Sequence, residues 1–231
     1  NFLKKKINIQ NISHILHTGF DMRKKNTNIF KQLKILKNIC KIASANNAKI
    51  IFLSSSSYGK RNQRKLIVNS KYQKAKNICE NYLIKNSKNN FKYIILRVFN
   101  LYGPGQKRGY IISDAILRIK KNNKRSLEIL NNQNYRDFIF IDDLVSAIFK
   151  CVKYNLHNKI LEIGNGKSYS VKFIYKKIAL ILKKDQKFIY KKPIKSYPFI
   201  TRAYINLNKK LIKWKPSISI EKGLKITVRE K

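Results

Sequence analysis

Short apolar runs alternate along this chain with longer stretches of helical spacing. Residues 13–18 (SHILHT), 49–53 (KIIFL), 93–98 (YIILRV), 127–130, 138–141 and 160–163 read as strands. Residues 28–45 put Ile29, Leu33, Leu36, Ile39, Cys40 and Ala43 at helical intervals. Residues 70–84, 111–121, 142–154 and 171–182 read as further helices, and Asp142 and Asp143 open the third of them as a helix N-terminus prefers. Residues 102–105 (YGPG) read as a turn, and residues 54–57 with Gly59 close the strand before them. Strands alternating with amphipathic helices imply an α/β fold with a parallel sheet. No internal repeat occurs, and no Gly/Ser/Pro linker divides the chain.

Composition adds a large positive charge. The 231 residues hold 52 Lys and Arg against 11 Asp and Glu, a formal net charge of +41. A balance of this kind is a flag for nucleic-acid binding. The lysines, however, occur in nearly every segment and travel with Asn and Ile. That pattern reads as a compositional bias on exposed positions, where a lysine keeps its head in water. Nucleic acid is therefore not the expected partner, although the field favours anionic small molecules such as nucleotide phosphates. The 43% hydrophobic content is enough for a core and argues against disorder. No run reaches the ~18–20 apolar residues of a helical membrane span. Cys40, Cys79 and Cys151 are far apart and form no CxxC pair, so no disulfide scaffold, Cys-based zinc site or other metal site is expected. Residues 1–10 are Lys-rich without a long apolar stretch, and the expected compartment is reducing and cytoplasmic.

Three elements carry candidate chemistry. A strand ends in Ser54, Ser55, Ser56 and Ser57. Tyr72 and Lys76 follow on a helix, four residues apart and so on one face. Of 13 tyrosines only Tyr72 has a lysine at that spacing. A phenol is a poor base at neutral pH, and a nearby ammonium favours its phenolate. With a serine hydroxyl sharing the substrate oxygen, that set suits taking a proton from a sugar alcohol while a hydride leaves its carbon. The third element is the segment from Arg97 to Gly105, with Asn100 inside it.

These motifs resemble the extended short-chain dehydrogenase/reductases, the NAD-dependent nucleotide-sugar epimerases and dehydratases. IIFLSSSSYG (residues 50–59), Tyr-x3-Lys at Tyr72 and Lys76, LRVFNLYGPGQ (96–106), YRDFIFIDDLVSAI (135–148), LEIGNGKSYSV (161–171) and WKPSISIEKGLKITV (214–228) each match a family segment. Glu80 stands where these proteins often carry a glutamate. The resemblance implies a Rossmann-like parallel sheet with a smaller C-terminal α/β substrate-binding part. Residues 1–100 would be the remainder of the NAD-binding domain. Residues 101–231 would be mainly substrate-binding, with some segments returning to the sheet. Tyr72 would be the catalytic acid/base and Lys76 would hold the nicotinamide ribose, with Tyr72 and Val98 also beside the NAD. The serine partner is Ser56 by counting along the strand and Ser54 by counting back from Tyr58, with Ser55 between them; Ser56 is preferred. Asn100 would contact a nucleotide-sugar near its phosphates, Arg136 would clamp the diphosphate, and Arg202 would add a second phosphate contact. The alternative for Arg136 is an ion pair with Asp142 or Asp143, and for the serines a turn cap. Trp214 is expected in the core. A homodimer built from the helices at 28–45 and 70–84 is also implied.

The family opens with a G-x-x-G-x-x-G turn, which needs glycine so that the backbone can approach a pyrophosphate. The first glycine here is Gly19, after SHILHT. The expectation is a piece of a longer enzyme that lacks the first βαβ unit, with an exposed sheet edge and poor solubility alone; an inactive relic that only binds is the alternative. No carboxylate lies between Ser54 and Tyr58, and elimination of water needs an acid and a base beyond Tyr72. The expected reaction is therefore 4-epimerisation of a nucleotide-hexose through a transient 4-keto sugar. A 4-keto-sugar reductase or a 4,6-dehydratase is the alternative within the family, and surface polysaccharide synthesis is the expected pathway.

Overall fold

The computed structural model describes residues 9–19, 28–56, 71–87, 91–130, 134–191 and 200–230. Ser57, Tyr58, Gly59 and Ser70 lie outside the described residues. In chain order the elements are β1 (His14–His17), α1 (Ile29–Ala45), β2 (Lys49–Ser55), α2 (Lys71–Asn86), β3 (Lys92–Val98), β4 (Asn100–Tyr102), α3 (Ile111–Lys121) and β5 (Ser126–Leu130). Then follow β6 (Tyr135–Phe140), α4 (Ile141–Lys153), β7 (Lys159–Ile163), β8 (Ser168–Ser170), α5 (Val171–Ile181), β9 (Lys187–Lys191), α6 (Asn206–Ile212) and α7 (Ile220–Arg229). The chain forms two compact units.

The first unit comprises Asn1–Val98, Ala147–Glu162 and Asn206–Trp214. Its sheet has the order β1-β2-β3-β7, with β1, β2 and β3 mutually parallel. From Lys49 to Phe52 every residue of β2 is buried, as expected of a parallel strand covered on both faces. Helix α1 starts at Asn28, whose side chain accepts the Lys31 N–H at 3.0 Å, a cap that satisfies an orphan donor. It buries Leu36, Ile39, Cys40 and Ala43 against Ile50, Phe52, Tyr93 and Ile95 of the sheet and Cys79 and Leu83 of α2. Lys49 is buried in the strand, and its Nζ donates to the carbonyls of Cys151 (2.8 Å) and Tyr154 (3.0 Å) at the end of α4. Those carbonyls lack helical partners, and a cation is favoured there. Trp214 is buried, as expected.

The second unit comprises Phe99–Ser146, Ile163–Ile205 and Lys215–Lys231. Its strands form two small sheets, β4-β6-β8 and β5-β9. β4 and β6 are parallel, β5 and β9 are parallel, and β8 runs antiparallel to β6, so parallel pairing is not universal. Helices α3, α5 and α7 share one core: Ile112, Ile116 and Ile119 meet Ile174 and Ile178, and Leu224 joins them with Phe138 and Phe140. Helices α5 and α7 begin with serine caps, Ser170 and Ser219.

Several element boundaries differ from the reading of the sequence. Ser54 and Ser55 extend β2 rather than closing it, because the ladder to Arg97 and Val98 continues through them. Tyr102 ends a short strand before the turn, in register with Phe140 of β6. Ile141 opens α4 instead of closing β6, and Leu182 caps α5 from outside it. Strands β8 and β9 and helices α6 and α7 were not anticipated, although α7 buries Ile220, Leu224, Thr227 and Val228 at helical spacing.

Candidate active site

Helix α2 carries Tyr72, Lys76 and Glu80 at intervals of four residues, one stripe along its length. The stripe meets the carboxyl end of β2. Lys76 Nζ donates to the carbonyl of Leu53, and the Ser54 hydroxyl donates to Glu80 Oε1. Glu80 also binds Arg97 of β3, with Nη2 to Oε2 at 2.7 Å and Nε to Oε2 at 3.1 Å. Arg97 is the register partner of Ser54, so one carboxylate ties the helix to two neighbouring strands. Glu80 is fully buried, and a buried carboxylate is tolerated when it is paired and hydrogen-bonded in this way.

The three described serines occupy different situations. Ser54 is buried and its hydroxyl is committed to Glu80. Ser55 lies opposite Val98 in the ladder. Ser56 follows the strand, half-buried, with its N–H donating to the Val98 carbonyl at 2.9 Å. That bond carries the β2–β3 ladder one residue beyond Ser55 and fixes the Ser56 backbone at the strand's exit.

Charge at this end of the sheet is tightly managed. The Lys76 Nζ stands 5.8 Å from the centre of the Tyr72 ring and 4.7 Å from that of Phe52. Burial pushes the Lys76 ammonium down to about 7, against the opposing pull of Cys79 and Glu80. His17 ends β1 beside Phe52, and burial, together with the nearby Lys76, pushes its imidazole down to about 4. At neutral pH His17 is therefore neutral. Sequence reasoning passed over His17 as a titratable group, and it had no signal for Arg97 as the partner of Glu80. A hydroxyl, a phenol and an ammonium thus gather at the carboxyl ends of parallel strands, where open α/β sheets bind ligands.

In the second unit Asn100 and Arg202 are joined through Asp137 and its partners, and Arg136 is its neighbour on β6; sequence reasoning did not single out Asp137. Asn100 Nδ2 donates to the Asp137 carbonyl at 2.7 Å. Arg136 precedes Asp137 on β6 and donates from Nη1 to the Tyr135 carbonyl at 2.9 Å. Arg202 Nε donates to the Gly166 carbonyl at 2.8 Å. The Asp137 carboxylate accepts from the N–H groups of Asn165 (2.7 Å), Gly166 (2.9 Å) and Ala203 (2.9 Å). Burial pushes this carboxyl up to about 6, while those three donors and Arg202 pull the other way. Asp143, an alternative partner for Arg136, instead accepts from the Ser217 N–H and hydroxyl and the Ile218 N–H. Among the described residues no group of His, Cys, Asp and Glu is arranged to hold a metal ion.

Comparison with known proteins gives a coherent picture. Residues 3–164 match the NAD dependent epimerase/dehydratase family. The chain is 29% identical to dTDP-4-dehydro-6-deoxyglucose reductase of Escherichia coli, over 94% of this chain and 73% of that protein. It is 28% identical to a putative UDP-glucose 4-epimerase of Methanocaldococcus jannaschii, over 98% of this chain and 79% of that protein. Among solved structures, UDP-glucose 4-epimerase of Thermotoga maritima with UDP-glucose superposes with a TM-score of 0.79 at 25% identity, covering 94% of this chain and 76% of that one.

Proposed function

Because the chain belongs to the NAD-dependent epimerase/dehydratase family, an enzyme family, we propose that it inverts the C4 hydroxyl of a nucleotide-diphosphate hexose. The observation that carries this reading is the Tyr72–Lys76–Glu80 stripe of α2 laid over the serine-bearing end of β2. Its donor set fits the nicotinamide-ribose end of NAD: an ammonium and a phenol on one helix face, at the ligand-binding edge of a parallel sheet. Lys76 and Val98 are the residues that would hold that group. NAD, when bound there, takes a hydride from the sugar carbon and gives it back.

The chain's own residues manage the proton. Tyr72, as phenolate, removes the proton of the C4 hydroxyl and later returns it to the ketone oxygen, an acid/base role of a kind worth ~10²–10⁴-fold in rate. The Lys76 charge, 5.8 Å from the ring centre, favours the phenolate. Ser56 shares the substrate oxygen with Tyr72. The commitment of the Ser54 hydroxyl to Glu80 supports Ser56 over Ser54 in this role. Asn100, Arg136 and Arg202 bind the diphosphate, for which a guanidinium fork is suited. The first unit then serves the cofactor and the proton, and the second the sugar nucleotide.

Elimination of water needs further acid and base groups near the sugar, and residues 54–58 hold no carboxylate. That favours redox chemistry without dehydration. One-way reduction of a 4-keto sugar is the second reading, favoured by the 29% identity to the E. coli reductase. Tyr72→Phe tests the core of both. Turnover is expected to fall by at least ~10²-fold while nucleotide-sugar affinity stays within about threefold. Unchanged turnover in the variant would remove Tyr72 from the acid/base role, and no turnover in the parent would leave the chain a binding protein. The same proposal includes a homodimer through α1 and α2, supported by exposed Phe30 on α1 and exposed Ile78 and Ile84 on α2. It also includes a cytoplasmic location, supported by free, buried Cys40, Cys79 and Cys151.

A further inference from the structure

We propose that Asp137 is a positioning residue that presets the diphosphate contacts, by locking the segment bearing Arg202 to the loop bearing Gly166. This rests on the assignment of Asn100 and Arg202 to the diphosphate. The carboxylate is fully buried and takes three backbone N–H donors from two separate segments, at Asn165 and Gly166 and at Ala203. Such bonds are made only if both segments hold one geometry. Arg202 is the residue before Ala203, and its Nε donates to Gly166 itself. The joint therefore fixes Arg202 at the backbone on one side and at the side chain on the other. An Nε bond leaves the two terminal amino groups of the guanidinium for the bidentate contact that phosphates favour. Asn100 grips the same residue through its main-chain carbonyl, leaving its amide oxygen and second N–H.

The packing is close. A Cβ on Gly164 would stand 2.5 Å from the Ala203 Cβ and 2.8 Å from Asp137 Oδ2, so only glycine fits there. Gly166 has φ of +78°, a conformation that turns its N–H toward the carboxylate at low cost only for glycine. An account confined to folding explains a buried aspartate with partners. It does not explain why one partner is the residue after a candidate phosphate-binding arginine and another is the residue whose carbonyl accepts that arginine's Nε.

The test uses calorimetric titration of the whole protein. UDP, dTDP, CDP and GDP are titrated, and the tightest is compared with its nucleoside. Arg202→Ala is expected to weaken the nucleoside diphosphate by about tenfold and leave the nucleoside within about twofold. Asp137→Asn, which turns one acceptor into a donor facing an N–H, is expected to show the same split. The Asp137→Asn, Arg202→Ala pair is expected to be no weaker than either alone, since both act through one contact. Gly164→Ala presses on the same joint, against Ala203 and the Asp137 carboxylate, while leaving residue 137 an aspartate, and it carries the test should Asp137→Asn not fold. Equal loss for nucleoside and diphosphate, in a folded variant, overturns the proposal in favour of a purely structural role. So does unchanged diphosphate affinity in Asp137→Asn or Gly164→Ala while Arg202→Ala is weakened. Unchanged affinity in Arg202→Ala and Asn100→Ala overturns the diphosphate assignment itself, and Asp137 then has nothing to position.

Discussion

Lys76 shows a tension between stability and function in one side chain. Its ammonium is buried and donates to the strand carbonyl of Leu53, and burial pushes it from 10.5 down to about 7. The unfolded chain therefore binds more protons than the folded one between pH 7 and 10.5, and stability rises with pH across that window. Lys76→Met removes this cost. The variant is expected to be more stable than the parent by about 1–4 kcal/mol at pH 7, as for other buried charges replaced by apolar groups. Its advantage should shrink as pH rises from 7 through 10.5, above which the parent lysine is neutral in both states. Denaturant melts at a series of pH values check the sign, and a gap that widens with pH would contradict it. The same variant loses the cation that favours the Tyr72 phenolate, so turnover should fall. A residue retained at the expense of stability marks function.

At the scale of elements, the Glu80–Arg97 pair fastens α2 across β2 to β3. Removing one partner leaves a charge buried and uncompensated, so Arg97→Met is expected to destabilise by about 3–5 kcal/mol. Replacing both, as Glu80→Leu with Arg97→Met, should cost distinctly less than that sum, and urea melts of the single and double variants read the coupling. Much of this architecture was legible in the sequence. The strands at 49–53 and 93–98 and the helix at 111–121 were marked by apolar runs and 3.6-residue spacing, and α3 spans Ile111–Lys121 as read. The Tyr72–Lys76 spacing exposed the helix face of the site. What stayed hidden depends on contacts far apart in sequence. The partner of Glu80 is 17 residues away, and the donors to Asp137 are 28 to 66 residues away. Helix α7 was hidden for another reason. Its Gly223 weakens helix propensity, yet Gly223 is needed because a Cβ there would lie 2.1 Å from the Tyr102 hydroxyl.

The molecule as a whole carries a charge of +41 that no single site requires. Such a field raises the local concentration of anionic substrates and acts over distances that salt screens. The KM for a nucleotide-sugar is therefore expected to rise with ionic strength while kcat stays nearly constant. A salt-independent KM would show that the surface lysines do not take part. The proposed dimer belongs to this scale too: Phe30→Glu on α1 should shift sedimentation toward the monomer if that exposed ring lies in the interface. The central claim is hydride removal and return at C4 without loss of water. Its most direct test is incubation of the protein with NAD and nucleotide-hexoses carrying deuterium at C4, with the products read by NMR and mass. The expected product is the C4 epimer, of unchanged mass and with the deuterium retained at C4. A product lighter by one water, or one formed only with net consumption of reduced cofactor, would contradict it.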